Sequence, residues 1–359
     1  QKRMVLQKNL PKSQSTKTSL IEGKNLMEQT KQETKNNWLK SNPLRDIQFS
    51  WELIVFLLII LAAAATRFYD LGARVISHDE TSHVYYAWRL FKGMGYSHDP
   101  ITHGPFQFHF LAFVYFLFGD SDYTARIPAA ISSVLTIIFL WKYRRYLGSW
   151  GTIAAALMTL ISPFMLYYGR YVRNEAFVAL FGVVSIWAVL RYLETKKPRF
   201  LYWLTAATVL HFTTKETAFI YTAQMMVFLG LVYISDMTQK PWKQPRFRNL
   251  FISGLIAAVI FAGVGIIAQG SIPETPESVE VQTGMHLQVL IPLALAVIMM
   301  TASLLFSIIG FTWKKLKELP SFSALLLLGT LVLPQLAPFP VEWFGFDPLN
   351  YTNTGMFTT

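Results

Sequence analysis

Residues 51–66 read WELIVFLLIILAAAAT, a run with a single charge, Glu52, near its start. A helix on the surface of a soluble protein keeps a polar stripe, and this run has none. With its flanks it approaches the ~20 residues that cross a bilayer. Runs of the same kind follow at 127–143, 150–168, 176–193, 201–213, 217–234, 250–268, 287–311 and 321–338, the fifth of the nine being short. A further run, Phe106–Phe118, starts just after Gly104-Pro105 and fits either a crossing or a helix lying on the membrane. The fold class expected is therefore an all-α polytopic membrane protein.

Composition agrees. Of 359 residues, 53% are hydrophobic and 15% charged, too oily for a soluble domain of this size. The absence of cysteine excludes disulfides, a thiol nucleophile and thiolate metal sites. A formal charge of +11 is shared between a tail and short loops rather than gathered for a polynucleotide, so no nucleic-acid partner is expected. Residues 1–50 hold ten Lys/Arg against four acids and few apolar side chains, which predicts a disordered basic tail on the cytoplasmic side, near anionic membrane lipid.

Basic residues orient the spans. If 106–118 does not cross, Lys142/Arg144/Arg145, Arg191/Lys196/Lys197/Arg199, Lys240/Lys243/Arg246/Arg248 and Lys314/Lys315/Lys317 all face inward. Loop 269–285 and the stretch after 338 then lie outside with no Lys or Arg. This arrangement gives about nine transmembrane helices at 51–338 in the cytoplasmic membrane, amino terminus inside, with 67–126 as one long external loop bearing two interfacial helices. Residues 339–359 would begin an external segment. The sequence does not begin with Met and ends without a closing feature, so a longer parent chain is expected.

The chemistry is concentrated in that external loop. Ser77-His78-Asp79-Glu80-Thr81-Ser82-His83 opens with an S-x-x-E capping box. Val84, Ala87, Trp88 and Phe91 continue at helical spacing, which predicts an amphipathic helix over 78–92. A second Ser-His-Asp stands at 97–99, followed by His103-Gly104-Pro105. Capping alone accounts for an isolated acidic pair, but less well for Asp79 and Glu80 beside His78, His83, Asp99 and His103. These groups could also hold a divalent cation, although their spacing matches no zinc motif and the metal stays unassigned. Arg170, Arg173 and Lys215 are positive charges on the side that usually lacks them, which suits a phosphate at the bilayer edge. Snorkelling is the plainer explanation for each taken singly. Glu175 and Glu216 are either halves of local ion pairs or orienting groups of the same site.

Together with Thr124-Ala125-Arg126-Ile127-Pro128, Ser162-Pro163, Arg173-Asn174-Glu175 and Thr214-Lys215-Glu216-Thr217, these features resemble the GT-C class of membrane glycosyltransferases. Within it the chain is most similar to the protein O-mannosyltransferase-like and aminoarabinose-transferase-like branch, in particular the prokaryotic "flippase activity-associated" group. The resemblance covers roughly residues 51–235. It implies an active site on the external face, a polyprenyl-phosphate sugar donor, and a protein, lipid or glycan acceptor. It also implies that Asp79 is the base that takes the acceptor proton, with Glu80 beside it, and that Glu175 is the acid of the second external loop. A transporter or flippase of lipid-linked sugars is the competing reading. Its mid-membrane polar residues are nearly missing here.

Overall fold

The structure, a computed structural model, describes residues 50–96, 103–271 and 287–336. Every element there is helical, and among the described residues there is no strand. The chain divides between Leu58 and Ile59 into two units. That boundary falls inside the first helix, α1 (Trp51–Phe68). Two short helices follow, α2 (His78–Phe91) and α3 (Phe106–Phe118), then α4 (Asp122–Leu140). A 3-10 turn, Trp141–Tyr143, leads into α5 (Arg144–Ile161), and α6 (Pro163–Tyr168) adds a last turn and a half. The chain continues through α7 (Glu175–Thr195), α8 (Arg199–Phe212), α9 (Thr217–Gln239), α10 (Pro245–Gly270), α11 (Leu287–Phe311), α12 (Trp313–Lys317) and α13 (Pro320–Leu336).

Among the described residues, six stretches are long and apolar enough to cross a membrane: Trp51–Phe68, Asp122–Ile161, Glu175–Thr195, Thr217–Gln239, Pro245–Gly270 and Leu287–Phe311. The chain is an all-α polytopic membrane protein. Nine hydrophobic runs were expected, and each is helical as far as it is described. The counts differ for two reasons. Asp122–Ile161 holds two helices, and Arg67 shows that they are antiparallel. Its guanidinium reaches Ser133 in the middle of α4 at 3.4 Å and the carbonyls of Thr159 and Leu160 near the end of α5 at 3.1 Å each. The reversal includes Gly148 at φ 67°, a conformation glycine adopts freely. Helices α8 and α13, with 14 and 17 residues, rise only about 21 and 26 Å at ~1.5 Å per residue, short of a ~30 Å hydrocarbon core.

Packing follows the sequence pattern. Ala188, Val189 and Tyr192 of α7 meet Phe200 and Leu204 of α8, Leu229 of α9, and Ala324 and Leu328 of α13 in one buried cluster. Helices α10 and α11 pair through small residues. A Cβ on Gly254 would overlap the hydroxyl of Ser303, and one on Gly265 would press on Leu293. At the other end of α7, α2 and α3 close over α4. Ala87, Phe108, Leu111, Tyr115, Ala125 and Val172 bury one another there. Phe113, Phe116, Leu117 and Phe118 stay exposed on α3, as the apolar face of an interfacial helix would.

Candidate active site

Four segments meet beside the amino-terminal end of α7: the first turns of α2, the turn His103-Gly104-Pro105, the loop 169–174, and the α8–α9 turn at 213–216. Two of them are joined through the backbone. The N–H of Gly104 donates to the Thr214 carbonyl at 3.1 Å, and that of Phe106 to the Thr213 carbonyl at 2.9 Å. A Cβ on residue 104 would collide with the Thr213 carbonyl, so this approach requires glycine. Just before it, His103 is held at φ 70°, a left-handed geometry uncommon outside glycine. Its Nδ1 lies 2.8 Å from Glu216 Oε2.

Asp79 and Glu80 occupy the second and third positions of α2, where the positive end of the helix favours carboxylates. Glu80 is fully buried. Arg126 of α4 donates to it fork to fork, Nε to Oε1 at 2.9 Å and Nη2 to Oε2 at 2.8 Å. The N–H groups of Val172 and Ser77 add bonds of 3.0 and 3.1 Å, and Arg74 lies 3.5 Å away. Burial alone would raise the Glu80 pKa. The Arg126 fork and the two backbone donors outweigh it and hold the carboxyl down at about 2. Arg126 spends its other donors on the carbonyls of Leu71, Arg74 and Val75 at 3.0, 2.7 and 3.3 Å. The expected capping box forms between Ser77 and Glu80. Glu80 accepts from the Ser77 N–H, and the Ser77 hydroxyl also lies 2.7 Å from the Tyr171 hydroxyl.

The Asp79 side chain is 60% exposed and has one cation beside it, Arg173 Nη1 at 3.6 Å. The Arg173 Nε is also 3.6 Å from Glu175 Oε2, whose other oxygen accepts from Lys215 Nζ at 2.7 Å. Asp79, Arg173, Glu175 and Lys215 thus form a chain of alternating sign. Glu80 sets its geometry, because the Val172 N–H it accepts belongs to the residue before Arg173. An open cleft of about 440 Å³ is lined by His78, Asp79, His83, Tyr85, Tyr86, His103 and Arg173. The His83 ring is buried and stacks on His103 with centroids 6.4 Å apart. Burial first, and then the nearby Arg173, hold its pKa down at about 4, so the ring is neutral near pH 7. Its Nδ1 has no hydrogen-bond partner.

The fold therefore gathers Asp79, His78, His83, His103, Arg173, Glu175, Lys215 and Glu216 into one neighbourhood, with Glu80 buried directly behind. Arg170 makes its hydrogen bonds elsewhere. It was expected with Arg173 and Lys215, but it donates to the carbonyls of Thr66, Tyr69 and Asp70 at 2.6, 2.8 and 3.2 Å, at the end of α1. There it lines a second cleft of about 450 Å³ with Arg74, Tyr167 and Tyr171. Asp99 and His98 lie outside the described residues. Among the described residues no three His, Asp or Glu side chains converge as metal ligands would. Three contributors went unassigned in the sequence reading: Arg126, Tyr171 and Asn174. Arg126 carried a signal, since an arginine entering an apolar span has to find a partner. Asn174 is 1% exposed, and neither amide atom is hydrogen-bonded.

Residues 102–267 match the model of a family described as dolichyl-phosphate-mannose-protein mannosyltransferase. Over that stretch, less than half of the chain, the protein is similar to mannosyltransferase-like glycosyltransferases of the GT-C type. The match takes in Arg126, the 170–175 loop and the 213–217 turn, but begins after Asp79 and Glu80. No curated protein and no solved structure matches the chain.

Proposed function

We propose that the protein transfers a sugar from a polyprenyl-phosphate donor to an acceptor hydroxyl, on the outer face of the cytoplasmic membrane, and that Asp79 is the general base. The observation that carries this reading is an exposed carboxylate on a cleft wall, 3.6 Å from an arginine that makes no closer ion pair. At 3.6 Å neither contact of Arg173 is a direct hydrogen bond, so its donors can turn to an incoming phosphate.

The hydroxyl oxygen of the acceptor attacks the anomeric carbon, and its proton passes to Asp79. The carbon–oxygen bond to phosphate breaks, and the electron pair leaves with the lipid phosphate. Arg173 meets the charge growing on that phosphate, and Lys215 supplies a second positive charge nearby. Glu175 holds the two cations in register. With no donor present its charge and that of Asp79 balance Arg173 and Lys215, so phosphate binding draws Arg173 away from Asp79 and frees the base. Glu80 is a positioning residue that fixes α2 against the Arg173 loop. His83 supplies a neutral wall to the cleft, with the His103 ring stacked beside it.

The test is incubation of membranes containing the protein with a panel of polyprenyl-phosphate sugars, following sugar release and acceptor labelling. Consumption of one donor by the wild type and none by Asp79→Asn supports the reading. Full turnover by Asp79→Asn, or translocation of an intact donor, points to transport instead.

A further inference from the structure

Helix α7 has chemistry at both ends. Some 16 residues beyond Glu175, roughly 24 Å along the axis at ~1.5 Å per residue, Arg191 lies at the edge of a separate cleft of about 570 Å³. Lys142, Arg145, Arg191 and Arg199 line it, together with Trp141, Trp187 and Trp203. We infer that this cleft is a binding site for the phosphodiester headgroup of an anionic phospholipid, on the membrane face opposite the candidate active site.

The charge is unbalanced. Glu194 is the one carboxylate within ion-pair distance among the described residues, 3.0 Å from Arg145 and 2.7 Å from Arg191. Four cations against one carboxylate leave three positive charges. Two of the cations are forced together, since Arg191 and Arg199 both lie over the buried ring of Phe200, 5.3 and 4.8 Å from its centroid. They come from different helices and sit within about 10 Å of each other, the sum of those distances, a repulsion that a bound anion relieves. Snorkelling keeps each charged head in water singly and does not by itself bring four of them to one place. These converge on one cleft.

The surroundings select a lipid anion over a free one. Trp187 packs edge-on against Phe139, Phe200 and Trp203, and Trp203 is half exposed, an aromatic collar of the kind found at headgroup depth. Below the collar, Leu135 and Ile138 of α4 and Ile186 of α7 are exposed and offer an apolar track for acyl chains. Basic pockets between spanning helices take anionic headgroups for these reasons.

The experiment uses the full chain, stripped of lipid in a neutral detergent, then given phosphatidylglycerol, phosphatidylcholine or inorganic phosphate. Thermal unfolding and native mass spectrometry are read for each. Phosphatidylglycerol is expected to raise the midpoint and stay bound while the other two do neither. Lys142→Gln with Arg199→Gln should weaken its retention roughly thirtyfold. Lys314→Gln with Lys315→Gln is the control for general positive charge at the same end of the bundle, where Lys196 donates to the Glu318 carbonyl at 3.3 Å. That pair should change nothing. Equal retention of phosphatidylcholine, an equal response to free phosphate, or equal losses in both double variants would each overturn the assignment.

Discussion

The carboxylates of Asp79 and Glu80 leave successive residues of one helix, yet the first is 60% exposed with one loose cation, while the second is sealed against a fork-to-fork arginine and two backbone donors. Successive side chains on a helix point about 100° apart, so one faces the cleft and the other faces α4. The difference separates two uses of an acid. A carboxylate whose oxygens are all engaged can fix three segments in place but does not take up a proton near neutral pH. One that is loosely paired and reached by solvent can exchange partners during a reaction. Replacing each with its amide separates the roles.

The largest effect is expected at the open residue. Asp79→Asn should lower sugar release from a polyprenyl-phosphate donor by about 10²–10⁴-fold, the usual contribution of a positioned base. Its thermal unfolding should stay within about 0.5 kcal/mol of wild type, as for most exposed positions. Glu80→Gln should do the reverse, losing roughly 3–5 kcal/mol of stability because Arg126 is left buried without its counter-charge. The double variant Glu80→Leu with Arg126→Met should recover part of that loss, read as non-additivity in unfolding. If Glu80→Gln kept full stability and lost turnover, the contrast between the two acids would be broken.

Acid sharpens the same contrast. Glu80 has a folded pKa of about 2, depressed from 4.5, so its contribution to stability is complete above pH 4.5 and is lost as pH falls toward 2. His83 is also depressed, from 6.5 to about 4. The unfolded chain then binds the extra proton first, and stability declines as pH falls from 6.5 toward 4. Unfolding followed by pH should show two successive losses. Glu80→Gln should shrink the lower one, and His83→Phe the upper.

How much of this was legible in the sequence depends on the range of the interaction. The hydrophobic runs were legible because bilayer burial acts residue by residue, and each expected run is helical as far as it is described. The start of α2 was legible from Ser77 and Glu80, three residues apart in local code. Which of the adjacent acids is buried was not, because it depends on Arg126, 46 residues on, entering α4 at the right rotation. The contact of the Ser77 hydroxyl with Tyr171, 94 residues away, was hidden for the same reason.

The smallest expected effect separates the two arginines that the sequence could not tell apart. Arg170 makes three hydrogen bonds to carbonyls at the end of α1, a task of shape rather than charge transfer. Arg170→Lys keeps the charge but loses the fork. A lysine cannot serve three carbonyls in that geometry, so stability should drop by about 1 kcal/mol with turnover per folded molecule unchanged. Arg173→Lys also keeps the charge. It removes planar donors that are proposed to meet the phosphate, so it should cost roughly tenfold in turnover and little in stability. The pair is measured by unfolding and by donor hydrolysis on the same preparations. Equal losses of turnover in both variants would place Arg170 in the phosphate site after all, and the line drawn between the two clefts would have to be redrawn.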